Sequence, residues 1–160
     1  MKKLVIMIML AICSIGAFAQ TEQGQLSFGF NVGYHFNDNG NTYLGIDYRY
    51  SITDNWRIAP SINYLVKNNG LSAAAIDVNA HYLFKLSDMF GFYPLLGLDL
   101  SFWKFNIGKW DDNATRFGAN VGLGAECYVS DVITVGLEVK YNAIKDFDAA
   151  MLGVRVGYTF

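Results

Sequence analysis

Ionisable side chains recur along this chain at positions that alternate with large apolar residues: Asp47, Arg49, Arg57, Asp77, Asp99, Glu126, Glu138, Lys140 and Arg155. Both signs occur, so the chemistry open to them is mutual neutralisation in an enclosed space, where a charge needs a partner. Glu138 and Arg155 are expected to share one ion-pair network with Lys140 and Glu126. Asp47, Asp77 and Asp99 lie further around the same wall, with Arg49 and Arg57 toward one end. Such a set either plugs an interior or gates it as pairs rearrange. His35 and His81 are the only histidines. Neither comes with the partners that a Ser–His nucleophile or a metal site needs at close range. No catalytic residue, cofactor or metal is therefore expected.

The elements that carry these groups show the period of two that marks β-strands. Eight runs stand out, at 25–36, 43–52, 56–66, 74–85, 92–104, 116–129, 133–143 and 151–160. Turn residues separate them, among them Thr53-Asp54-Asn55, Asn68-Asn69-Gly70, Ser87-Asp88 and Ser130-Asp131. Most runs have about 10 residues, longer than the usual soluble strand of about 5–6 and close to the length of a tilted membrane strand. The connection 106–115 is the longest and reads as a loop.

One face of each run is apolar, as in Leu26, Phe28, Phe30, Val32, Tyr34 and Phe36, or Ile133, Val135, Leu137, Val139 and Tyr141. The other face holds the ionisable groups and every strand glycine, including Gly29, Gly33, Gly97, Gly118, Gly124, Gly153 and Gly157. Two arrangements fit this alternation. A soluble lipocalin-like barrel, binding a small apolar ligand, buries the apolar face. A membrane barrel turns that face to lipid. The glycines favour the second, because glycine weakens a strand and the interior of eight strands is crowded. Aromatics collect near the strand ends of the apolar face, with Tyr50, Trp56, Phe84, Phe92, Tyr158 and Phe160 at one rim. Tyr34, Phe36, Tyr64, Phe102, Phe117 and Tyr141 form the other, as membrane interfaces select. The predicted fold is all-β, an eight-stranded antiparallel up-and-down transmembrane β-barrel closed on itself, since hydrocarbon satisfies no strand edge.

Within the 160 residues, charged side chains make up only 16%, and Gly is 16 against Pro 2. Lys2 and Lys3 followed by an apolar stretch and Ala17-Phe18-Ala19 read as a cleavable signal peptide over 1–19, cut after Ala19, with the barrel domain over 20–160. Losing the two lysines leaves ten cations against fourteen acids, a net −4, and no basic surface for nucleic acid.

The closing strand, with Val154, Val156, Tyr158 and terminal Phe160, resembles that of Gram-negative outer-membrane barrels, and 25–160 resembles the small outer-membrane β-barrel domain family of OmpA, OmpX and opacity type. The resemblance implies residence in the cell outer membrane, contact with its lipid, and a barrel-assembly machinery that reads Tyr158 and Phe160 as an assembly signal. It implies a structural or porin-like role with a plugged polar lumen and no catalysis. A second reading is a surface binding or adhesion module acting through the loops on an extracellular ligand, with Lys109, Trp110, Asp111 and Asp112 as the candidate contact. A lipid-modifying enzyme is the third, and no Ser–His arrangement on the apolar face supports it.

Overall fold

The computed structural model describes residues 22–36, 40–68, 70–107 and 110–160; the leader and its cut site lie outside them. Nine strand segments form one sheet. They are β1 (Leu26–Phe36), β2 (Asn41–Ser51), β3 (Trp56–Asn68), β4 (Leu71–Tyr82), β5 (Phe84–Ser87), β6 (Phe90–Ile107), β7 (Trp110–Tyr128), β8 (Ile133–Ile144) and β9 (Ala149–Thr159). β4 and β5 are two parts of one stave, since both pair with β6. The break at Leu83 has a local cause. β3 ends its pairing at Trp56–Tyr82, so the Leu83 N–H donates instead to the Asn55 carbonyl at 2.7 Å, and the Asn55 amide donates to the Leu83 carbonyl at 2.9 Å.

The staves thus number eight, each antiparallel to the next, and β1 pairs with β9 from Ser27–Thr159 to Phe36–Ala150 to close the ring. Three turns share one end with the start of β1 and the end of β9, and each uses the same device. The Oγ of Thr53, Ser87 or Ser130 accepts the backbone N–H groups two and three residues on, at 2.9–3.4 Å. The hydroxyl stands in for strand pairing where the chain reverses.

The opposite end departs from the sequence expectation. The stretch 106–115, expected as a loop, continues as a hairpin paired down to Ile107–Trp110. β7 meets β8 only from Gly118–Ile144 onward, so the hairpin of β6 and β7 stands beyond its neighbour. Its Asn and Asp residues have the composition of a loop, yet a two-residue connection needs only cross-strand pairing to hold its strands together.

Side-chain direction follows parity. Outward residues such as Phe30, Leu96, Leu98, Phe117, Val139 and Val156 form the apolar exterior, and the aromatics of both expected rims point out, Phe92 half-exposed among them. Inward residues include the charged set and the strand glycines. A charge on the exterior tests this by depth. Leu98→Arg, midway between Phe92 and Phe102, is expected to cost about 2–4 kcal/mol, and Phe102→Arg at the rim about 0–1 kcal/mol. The measurement is urea unfolding in lipid vesicles, and equal costs at the two depths would refute the assignment.

Candidate functional site

The lumen is the site, and strand parity delivers its groups to it. Near the turn end they form one network. Arg155 on β9 donates through Nε to both Asp47 oxygens at 2.8 and 2.9 Å, and through Nη2 to Ser27 Oγ at 3.0 Å. Asp47 also accepts Arg49 Nε at 3.1 Å and Asn31 Nδ2 at 2.7 Å. Arg49 extends across the barrel to Glu126 at 3.1 Å and Glu138 at 3.5 Å. Arg57 holds Glu126 with two parallel bonds of 3.0 Å, the fork geometry that makes such pairs strong. Tyr128 completes Glu126 at 2.6 Å.

Tyr93 is the pillar of this network. It is fully buried, its hydroxyl donates to Glu138 at 2.9 Å and accepts Arg49 at 3.1 Å, and its ring stacks on His81 at 4.5 Å. The guanidinium groups of Arg57 and Arg49 lie 4.9 and 5.3 Å from its centre. Its register partner across the sheet is Gly124, where any Cβ would collide with the ring. Sequence reasoning left Tyr93 out of the set. Its signal was there: an aromatic on the glycine-bearing parity, opposite a glycine. Tyr43, paired with Gly33, repeats it.

A second layer sits further from the turn end. Asp77 accepts Lys140 Nζ at 2.9 Å, Asn63 Nδ2 at 2.6 Å, Asn120 Nδ2 at 3.2 Å and Ser61 Oγ at 3.3 Å. Asp99 accepts Asn142 Nδ2 at 3.3 Å. Between the layers is a cavity of about 20 Å³ touched by Asp47, Arg49, Asn63, Glu138 and Lys140, room for one water. Above, Tyr43, Leu65, Leu71, Ala73, Trp103 and Met151 form an apolar cap, and Phe147 of the last hairpin turn stacks on Trp103 at 4.3 Å.

Among the described contacts Arg155 meets Asp47 directly, and reaches Glu138 and Glu126 through Asp47 and Arg49. Lys140 belongs with Asp77 in the other layer. The cause is glycine. Gly29 on β1 leaves open space beneath the Arg155 guanidinium, so the side chain crosses a whole strand to reach β2.

No group of three or more His, Cys, Asp or Glu among the described residues could hold a metal ion. His81 is occupied by Arg57 and Tyr93, and His35 lies edge-on to Trp103 at 6.1 Å. Tyr158 and Phe160 point outward and pack edge to face at 5.1 Å. Of the candidate external contact, Lys109 lies outside the described residues, as do the side chains of Trp110, Asp111 and Asp112, whose backbone belongs to β7.

The family described as outer membrane protein beta-barrel domain matches residues 5–160. No curated protein matches. Among solved structures, the N-terminal β-barrel domain of Pseudomonas aeruginosa OprF superposes with a TM-score of 0.71 at 18% identity, over 88% of this chain and 100% of that one. OprG of the same organism gives 0.67 at 13% identity, over 89% and 99%. Ail, the attachment invasion locus protein of Yersinia pestis, gives 0.63 at 16% identity, over 86% and 99%. At these identities the likeness is one of fold.

Two substitutions read the crowding of the lumen. Gly124→Val pushes into the Tyr93 ring and is expected to cost about 1–3 kcal/mol. At Gly136 the nearest atom to an added Cβ is 3.4 Å away, so Gly136→Ala is expected to change stability by under about 1 kcal/mol. A third reads the ion pairs. Glu126→Ala strands two buried guanidinium groups and is expected to cost about 3–5 kcal/mol. Asp146→Asn, which suits the left-handed backbone there (φ 70°) as well as Asp does, breaks only the exposed 3.6 Å pair with Arg116 and is expected to cost about 1 kcal/mol or less. Denaturant unfolding in detergent micelles checks all four.

Proposed function

Since the chain belongs to the outer membrane protein beta-barrel domain family, we propose that it serves the outer membrane as a structural barrel with a closed lumen rather than as an open pore or an enzyme. The observation that carries this reading is the packing of the axis. Two ion pairs tie β2 and β3 to β7 across the lumen, a third ties β8 to β4, and the apolar cap lies over them. Small eight-stranded barrels have interiors that side chains fill.

On this reading the leader is removed after Ala19 on export. Tyr158 and Phe160 present the closing strand to the assembly machinery, and lipid covers the apolar wall. The short Thr53, Ser87 and Ser130 turns face the periplasm, and the hairpin of β6 and β7 faces outward, as loop lengths in such barrels run.

A second reading is contact with an external ligand. It draws support from that hairpin, whose strands stand beyond β8 and carry Trp110, Asp111 and Asp112. The porin-like alternative requires the guanidinium–carboxylate pairs to exchange partners and open a path.

Planar-bilayer recording of the purified, folded protein decides between closed and open. The closed barrel yields no steady unitary current. Reproducible unitary steps would overturn it in favour of a porin-like channel.

A further inference from the structure

We infer that the lumen holds a small monovalent metal cation of the sodium class, bound beside Asp99 by oxygen ligands from β6, β7 and β8. The first argument is charge. The layer near the turn end sets Arg49, Arg57 and Arg155 against Asp47, Glu126 and Glu138 and is balanced. The second layer sets one cation, Lys140, against two carboxylates, Asp77 and Asp99, each 1% exposed. Those carboxylates are register partners across β4 and β6, the position at which like charges repel most. Lys140 is committed to Asp77. Ionised, Asp99 has no cation of its own among the described contacts; its neighbours are Asp77, the Ser101 hydroxyl and the Asn142 amide, and an unpaired buried charge is costly.

The second argument is independent of charge. Asp99 Oδ1, Asn120 Oδ1 and Asn142 Oδ1 are buried and accept no hydrogen bond, and their residues are 1%, 0% and 3% exposed. The orientation of both amides is fixed by carboxylates. Asn120 Nδ2 faces Asp77 Oδ1 and Asn142 Nδ2 faces Asp99 Oδ2, so each amide oxygen is the atom left over. Asn120 and Asn142 are register partners on β7 and β8. Asp99 on β6 is diagonal to Asn120, for Gly97 pairs with Asn120 and Asp99 with Gly118. Three donorless oxygens thus lie on three consecutive strands, two on one register line and the third diagonal to it.

The chemistry selects the ligand. Oxygen-only ligation is the preference of hard cations, and the set contains no imidazole or thiolate for a softer metal. One missing positive charge calls for a monovalent ion, because a divalent one would reverse the imbalance. A proton on Asp99 would restore the charge and leave both amide oxygens unsatisfied. A water would supply donors and no charge. A bound cation answers both deficits at once.

The test is thermal unfolding of the full mature protein in uncharged detergent micelles at pH 8. Sodium chloride is titrated against choline chloride at constant ionic strength. The wild type is expected to gain Tm in a saturable way with sodium, and Asp99→Asn, which removes the charge at constant shape, to lose that response. Asn142→Ala, which removes one ligand, is expected to raise the sodium midpoint tenfold or more. Asp146→Asn, an exposed control, is expected to keep the wild-type response. Equal wild-type melting in sodium and choline overturns the proposal. So does a response that persists in Asp99→Asn, or, should that variant not fold, an unchanged midpoint in Asn142→Ala. An infrared band of a protonated carboxyl group at pH 8, absent in Asp99→Asn, with no sodium response in the wild type, would assign the site to a proton instead.

Discussion

Hydrocarbon offers a backbone N–H or C=O no partner, so a sheet that crosses it must pair every strand on both sides. The rest of this molecule follows from that demand. β1 finds β9, the stave made of β4 and β5 bridges to β6, and the ring of eight has no free edge within the apolar band. Closure at eight leaves a narrow axis, and half of all strand residues point into it. Glycine at those positions is what lets large groups occupy the remainder: Tyr93 against Gly124, Tyr43 against Gly33 and Gly153, Arg155 between Gly29 and Gly157.

The same narrowness explains the polar content. Residues facing lipid must be apolar, so the charges a chain carries through the membrane have only the axis to occupy, where each needs a partner. Long side chains meet that need by reaching across the lumen. Arg49 on β2 and Arg57 on β3 meet on Glu126 of β7, and Lys140 on β8 meets Asp77 on β4. These pairs brace opposite walls, which hydrogen bonds between adjacent strands cannot do. The apolar cap around Trp103 and Met151 does the same at the hairpin end without charge.

Parity was legible in the residues alone. Alternation, glycine confined to one face and aromatics gathered at the strand ends specify which residues face in, how many staves there are and that the ring closes. Pairing inside the lumen was not legible. Neighbouring strands suggested one network of Glu138, Arg155, Lys140 and Glu126, but a glycine between two charges lets a guanidinium pass over a strand, and partner choice then depends on barrel curvature that no local pattern encodes. The hairpin of β6 and β7 was missed for a related reason. Outside the lipid band a strand needs no apolar face, so Asn106 to Thr115 carries turn residues while still pairing. Leu83 shows the converse, a break in pairing with no break in alternation, made by the Asn55 turn alongside.

The orientation of the wall is the central claim, and site-directed spin labelling along β8 in lipid vesicles tests it most directly. Labels on single cysteines at Leu137, Val139, Tyr141 and Ala143 are predicted to be accessible to oxygen dissolved in the bilayer and shielded from a water-soluble nickel chelate. Labels at Thr134, Gly136 and Asn142 are predicted to be shielded from both. Oxygen accessibility at the second group, with shielding at the first, would contradict the account.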